Sequence, residues 1–215
     1  MPSRSAGKSN MIIKSLFAVP VGLTSIERDF TADEMTFCLD ELKSVTSNVG
    51  NSTSVNKQVL DHPTLLTLKE KILVELDKFI QEINPPQIDK NIKFYITQSW
   101  LNINHTDDWH HPHTHTNSII SGVLYVNVKN DVDSITFSPK AGLFGNLVYY
   151  PEKETVYNIF YKKIPVSKGM LVFFPSTTEH FVEFNKDTHK RISLSFNVFL
   201  TGTLGTEDSS SKLDL

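Results

Sequence analysis

The chain is 215 residues long, with a formal charge of −3 at pH 7, 21% charged residues and a single cysteine. A domain of this length can bury a real core, and the near-neutral balance gives no electrostatic reason to expect nucleic acid or an anionic membrane as a partner. Cys38 alone excludes an internal disulfide framework and fits a reducing, cytoplasmic compartment.

Residues 1–10 are rich in Ser, Lys and Gly without an apolar period and read as a mobile terminus. Between Met11 and Leu23 an apolar run is interrupted by Lys14 and ended by Pro20, which suits an opening β-strand around Leu16–Val21 better than the core of a signal peptide. No stretch approaches the length of a membrane span. Thr31 stands three residues before Glu34, the spacing of a capping box, and Met35, Leu39, Leu42 and Val45 follow at helical intervals. The Ser- and Asn-rich stretch Thr46–Lys57 reads as loop. Pro63 then opens a second amphipathic helix with Leu65, Leu68, Ile72, Leu76 and Phe79 as its apolar stripe, closed before Pro85-Pro86. Two helices laid on one face of a sheet are the economical arrangement. Asn51-Ser-Thr53 and Asn104-His-Thr106 match the glycosylation sequon, a motif common by chance.

From Ile92 onward, short β-branched and aromatic runs divided by turn residues replace the helical period. The predicted strands are Lys93–Ile103, Ile119–Val128, Ser134–Ser138, Val156–Tyr161, Lys163–Val166, Met170–Pro175, His180–Phe184 and Arg191–Leu200. Regular short strands without intervening helices predict an antiparallel sandwich or barrel, a mainly β fold with an α+β preface. The expected domain is 11–204, with a strand and helices over 11–91 and the β core over 92–204, and 205–215 reads as a flexible tail.

Four of the eight histidines lie between His110 and His115. On an extended strand His113 and His115 project to the same face, so both imidazoles can reach one ion, and His180 from a partner strand completes a facial set. Imidazole suits iron, zinc, copper and nickel alike. Arg191, a short hairpin after the last ligand, tips the choice to iron, because a guanidinium can fork onto the far carboxylate of a dicarboxylate, with Ser193 facing the same way. A rival pair, His105-Thr-Asp107, fits the commoner His-x-acid pattern but does not run straight into a strand. His110 and His111 read as mouth-lining loop residues, His62 and His189 as surface groups, and Trp100 and Phe173 as core.

The ordered set Ser99-Trp-Leu-Asn102, His113-Thr-His115, Ser121-Gly-Val-Leu-Tyr125, Gly169-Met-Leu-Val-Phe-Phe-Pro175, His180 and Arg191-Ile-Ser-Leu-Ser-Phe-Asn197 resembles a subgroup of small 2-oxoglutarate- and iron(II)-dependent oxygenases. The resemblance spans residues 92–200. It implies a double-stranded β-helix (jelly roll) with the N-terminal helices packed on one sheet. It also implies Fe(II) on His113, His115 and His180, with 2-oxoglutarate chelating through its 2-oxo and C1 carboxylate groups. Arg191 would take the C5 carboxylate, with Ser193 and Tyr125 as further co-substrate contacts. The implied reaction consumes O2, releases succinate and CO2, and hydroxylates a small-molecule or peptide substrate. One position departs from the pattern: most of that superfamily has His-x-Asp or His-x-Glu, and here the second ligand is His115. Three neutral imidazoles leave an ion more positive than two plus a carboxylate. A cupin-like zinc or nickel module without turnover therefore stays open, as does a scaffold that presents its helices to a partner, and by analogy with the family the two helices could support a homodimer.

Overall fold

Helix α1 (Ala32–Glu41) begins at the expected cap. Thr31 Oγ1 accepts the Glu34 amide at 3.1 Å and Glu34 Oε2 accepts the Thr31 amide at 2.8 Å. In this computed structural model, which describes residues 12–83, 91–139, 150–205, 210 and 212–215, the helix stops before Val45. Val45 belongs instead to β2 (Val45–Ser47), the first arm of a hairpin with β3 (Ser52–Ser54). The stretch read as loop hides this hairpin because its strands are built from Ser and Thr rather than an apolar alternation. Ser54 Oγ instead accepts the Leu101 amide at 3.0 Å and donates to the Asn56 carbonyl at 2.8 Å.

Pro63 opens a short 3-10 turn that runs into α2 (Leu66–Ile83), whose stripe Leu68, Ile72, Leu76 and Phe79 is buried. That stripe covers one face of a seven-stranded sheet. In spatial order the sheet is β1 (Gly22–Ser25), β9 (Met170–Pro175), β6 (Ile120–Asn127), β11 (Arg191–Thr201), β4 (Lys93–Asn104), β3 and β2. A second sheet of four, in the order β5 (His110–His113), β10 (Glu179–Val182), β7 (Ser134–Ser138) and β8 (Lys162–Pro165), closes the other face. All ladders are antiparallel, so the double-stranded β-helix with helices on one sheet is the architecture of the chain.

Because the large sheet is covered on both sides, side-chain parity sorts its residues into two environments. Leu101, Ile103, Leu124, Leu171, Phe173, Ile192, Leu194 and Phe196 pack with the helices. The alternate positions Val123, Tyr125, Val172 and Phe174 pack with Ile135 and Phe137 of the small sheet. On β11 the inward set is Arg191, Ser193 and Ser195, so the strand with the most ladder partners also carries polar side chains into the interior.

Several expectations shift. The opening strand falls at Gly22–Ser25 rather than Leu16–Val21, beyond Pro20, which has no amide to give the ladder. Gly22 is where the Phe79 ring presses closest: a Cβ there would lie 2.5 Å from Phe79 Cδ2. No strand forms over 156–161, and the next ladder starts at Lys162. Part of the C-terminal tail is ordered in a short pair, β12 (Thr203–Leu204) with β13 (Leu213–Asp214). The predicted mobile terminus at 1–10 lies outside the described residues. Cys38 is fully buried and its thiol is pushed up to about 12 by burial, a packing residue. Both sequon asparagines, Asn51 and Asn104, are buried. Among the described residues no helix is long and apolar enough to cross a membrane.

Gly122 marks the tightest approach in the sheet. It pairs with Phe196, and a Cβ would come within 2.1 Å of Phe196 Cζ. Gly122→Ala is expected to destabilise the protein by about 1–3 kcal/mol through overpacking; a melting temperature unchanged from wild type would contradict this packing.

Candidate metal centre

His113 ends β5 and sits directly across the ladder from His180 on β10. His115 lies just past the strand, where its amide donates to the Ser176 carbonyl at 2.9 Å. The two residues therefore do not share one continuous strand, as the sequence suggested. A backbone contact to the end of β9 brings the second ring in instead. Ring centroids are 4.3 Å apart for His113 and His180, and 5.2 Å from His115 to each of them. One coordinating nitrogen from each of the three falls within 4.8 Å of the others.

Each Nδ1 of this triad faces an oxygen: His113 the His111 carbonyl at 2.7 Å, His180 the Thr178 carbonyl at 3.1 Å, and His115 the Asn197 Oδ1 at 2.5 Å. An oxygen acceptor fixes the proton on Nδ1 and leaves the Nε2 lone pair bare, the arrangement a ligating imidazole needs. A second group, His110, His111 and His113, also falls within 4.8 Å. It lacks that uniform support, because His110 Nε2 is 3.1 Å from the Asn48 amide nitrogen and His111 Nδ1 is buried without a partner.

The rings are held neutral chiefly by burial. Phe174 packs on His180 at 4.6 Å, and the pKa of His180 is driven well below the ordinary imidazole value, first by desolvation and then by His113 and His115. Burial also lowers His115, lowers His113 to about 4 and lowers His110 to about 3.

One small cavity, with about 30 Å³ of free space, is lined by His113, His115, His180, Tyr125, Arg191 and Ser193 together. Arg191 is 3% exposed, its guanidinium carbon stands 5.4 Å from the centre of the Tyr125 ring, and its Nε lies 3.9 Å from Asp133 Oδ1. Neither Arg191 Nε nor the Tyr125 hydroxyl has a hydrogen-bond partner, although both are buried. Burial raises the Tyr125 phenol to about 12, so it stays a donor. Buried polar groups without partners are costly in a finished core, and here they converge on a cavity.

The rival pair is elsewhere: His105 and Asp107 are exposed around a turn, with Asp107 at φ 65°. His62 is exposed and stacks on Phe37 at 4.0 Å. His189 is not the surface group expected of it, for its Nε2 is 2.7 Å from Asp133 Oδ2 with its side chain 19% exposed. Trp100 is not core but lines the cavity, 5.7 Å from the His115 ring. Sequence reasoning missed Asn197 and Asp133, and it placed the mouth-lining His110 on a loop rather than on β5. Asn197 was within reach, since it stands on β11 at the same parity as Arg191 and Ser193. Asp133 and His189 are joined only by the fold.

Residues 98–197 match the family described as "Putative 2OG-Fe(II) oxygenase". Over these residues the chain is similar to the 2-oxoglutarate/Fe(II)-dependent oxygenases. An oxidoreductase of the 2OG-Fe(II) oxygenase family from Burkholderia pseudomallei shares the fold with a TM-score of 0.55 at 12% identity over 83% of each chain. The α-ketoglutarate-dependent epimerase SnoN of nogalamycin biosynthesis does so with a TM-score of 0.55 at 13% identity, over 88% of this chain and 80% of its own. HygX from Streptomyces hygroscopicus, solved with nickel, 2-oxoglutarate and hygromycin B, gives 0.52 at 8% identity over 84% and 82% of the two chains. No curated protein matches the chain.

The depressed imidazoles carry a stability signature in the metal-free protein. Unfolded histidine takes a proton near pH 6.5, whereas folded His113 and His110 resist it down to about 4 and about 3. Between those limits the unfolded state binds more protons, so stability falls as pH falls. Lowering the pH from 7 to 5 is expected to remove on the order of 2 kcal/mol from the apo-protein for each of these two histidines. Urea midpoints at the two pH values measure it, and equal midpoints would refute the buried neutral state.

Proposed function

We propose that the protein is an Fe(II)- and 2-oxoglutarate-dependent dioxygenase that hydroxylates a small polar substrate. The observation that carries this reading is the pairing of three oriented imidazoles with a buried guanidinium across one cavity. Iron bound at His113, His115 and His180 would supply the redox chemistry that couples oxidation of 2-oxoglutarate by O2 to insertion of one oxygen atom into a substrate C–H bond, releasing succinate and CO2.

The chain's own residues orient and exclude. The three Nδ1 contacts lock the ligand rings in one tautomer. Arg191, with Asp133 beside its Nε, would hold the C5 carboxylate of 2-oxoglutarate, and Tyr125 and Ser193, which line the same cavity, would add hydroxyl contacts. Val123, Ile135 and Val182 are the aliphatic walls of the cavity. A structural zinc or nickel site has no use for a buried cation beside it, and burying Arg191 with no close hydrogen bond at Nε would cost stability without return.

Anaerobic titration with Fe(II) and then 2-oxoglutarate is expected to give the weak visible charge-transfer band of the chelate. Arg191→Ala should keep iron binding and weaken 2-oxoglutarate roughly 10- to 150-fold, the worth of a hydrogen bond to a charged group. An iron-loaded protein without the band, or a variant with unchanged affinity, would count against the assignment.

Asn197→Ala should lower iron affinity roughly 10- to 100-fold by freeing the His115 ring, with Asn197→Asp restoring it. Competition with a chromophoric chelator reads the difference, and an unaltered affinity would deny Asn197 this role.

A further inference from the structure

A second, more open cavity of about 390 Å³ lies outside the triad and shares Trp100, His110, His113 and His115 with the inner one. The two cavities thus reach the imidazoles from different sides, one leading to Arg191 and the other to Lys57. That volume suits a small molecule or a single side chain.

Its lining holds amides, hydroxyls, imidazoles and one tryptophan, but no Asp or Glu among the described residues. Lys57 is its cation. The ammonium donates to Thr53 Oγ1 at 2.8 Å and to the Ser54 carbonyl at 2.7 Å, two neutral acceptors on β3. Among the described residues Lys57 has no carboxylate within ion-pair distance, and it is the one lysine that lines this cavity. An ammonium has three donors, and the third has no partner among these residues. Burial lowers the Lys57 pKa and no neighbouring acid restores it. The residue is also held firmly in place: its carbonyl accepts the Ser99 amide at 2.8 Å, next to Trp100, which walls the cavity.

We propose that the outer cavity is the substrate site and that it selects a small polar molecule bearing an anionic group, a carboxylate or a phosphate, received by Lys57. Gln98 and Thr116 stand on the same wall to bind hydroxyl or amide groups of such a molecule, and Trp100 gives one flat apolar face. The assignment rests on the triad being the catalytic metal centre, but anion selection by the cavity can be read separately.

The probes are a matched polyol set: sorbitol (neutral), gluconate (carboxylate), glucose 6-phosphate (phosphate) and glucosamine (cation). They are titrated anaerobically into protein already loaded with Fe(II) and 2-oxoglutarate, so that Arg191 is engaged. Binding is followed by the fluorescence of Trp100 in a Trp109→Phe background, and the chelate band is recorded in the same samples. At least one anionic probe is expected to bind roughly tenfold or more tightly than sorbitol, with glucosamine weakest. Which anion wins separates carboxylate from phosphate. Lys57→Gln should bring the anionic probes to the sorbitol level and Lys57→Arg should retain the preference, with the chelate band unchanged in both. Equal binding of all four probes, no binding of either anion, or a preference that survives Lys57→Gln would overturn the proposal. The wild-type comparison decides it even if a variant fails to fold. Loss of the chelate band in wild type would instead strike the metal-centre reading.

Discussion

The seven-stranded sheet is buried on both faces, and this constraint decides what the interior can contain. Each of its central strands must present apolar side chains to the helices while its alternate residues enter the space between the sheets. On β11 that alternation sends Ile192, Leu194 and Phe196 outward and Arg191, Ser193 and Ser195 inward. A slip of one residue would bury the guanidinium against Leu76 and its neighbours and empty the cavity of its polar groups. The register is therefore defended by the whole core, with Phe196 seated against Gly122 as its tightest contact.

Polar groups brought inside this way must be neutral, paired or reserved for a ligand. The imidazoles take the first route: burial outweighs every other influence on their protonation, and the oxygen acceptors at Nδ1 fix where the remaining proton sits. Asn102 and Ser195 take the second, through a 2.9 Å hydrogen bond. Arg191 is only partly compensated. Asp133 lies 3.9 Å from its Nε but gives its other oxygen to His189 and to the Lys129 amide. This leaves a buried cation with directional capacity to spare, which is how an anion site differs from a structural ion pair.

Most strands from Lys93 onward and both helices were legible because apolar periodicity and cap chemistry are local signals, whereas the strand expected over 156–161 does not form and the polar β5 gave no such signal. The β2–β3 hairpin was not, since its stability comes from Ser and Thr side chains answering β4 rather than from an apolar face. Among the site residues, the spacing of His113, His115 and His180 and the parity of Arg191 and Ser193 were legible, and the fold brings all five to one cavity. What escaped was the support. Asn48 meets His110 across 62 positions of sequence and Asp133 meets His189 across 56, so no local pattern could connect them. Trp100 was misread because an aromatic on a buried strand is core or cavity wall according to parity alone, and parity on β4 is fixed only once its register with β11 is known.

If His115 is a ligand, as proposed, its neutral imidazole in place of a carboxylate bears on what else the site can hold. On the proposed reading, a divalent ion with three neutral ligands and a doubly negative co-substrate sum to zero, and the Arg191 charge is opposed by Asp133. A centre with a carboxylate ligand would carry one more negative charge and would repel an anion brought to its outer side. With His115 that repulsion is absent, and Lys57 is left as the uncompensated charge at the mouth. At separations of several ångströms in a partly desolvated cavity such a difference is worth on the order of 1 kcal/mol or more. The unusual ligand and the unpaired lysine are then two parts of one electrostatic arrangement, each favouring a substrate that arrives with negative charge.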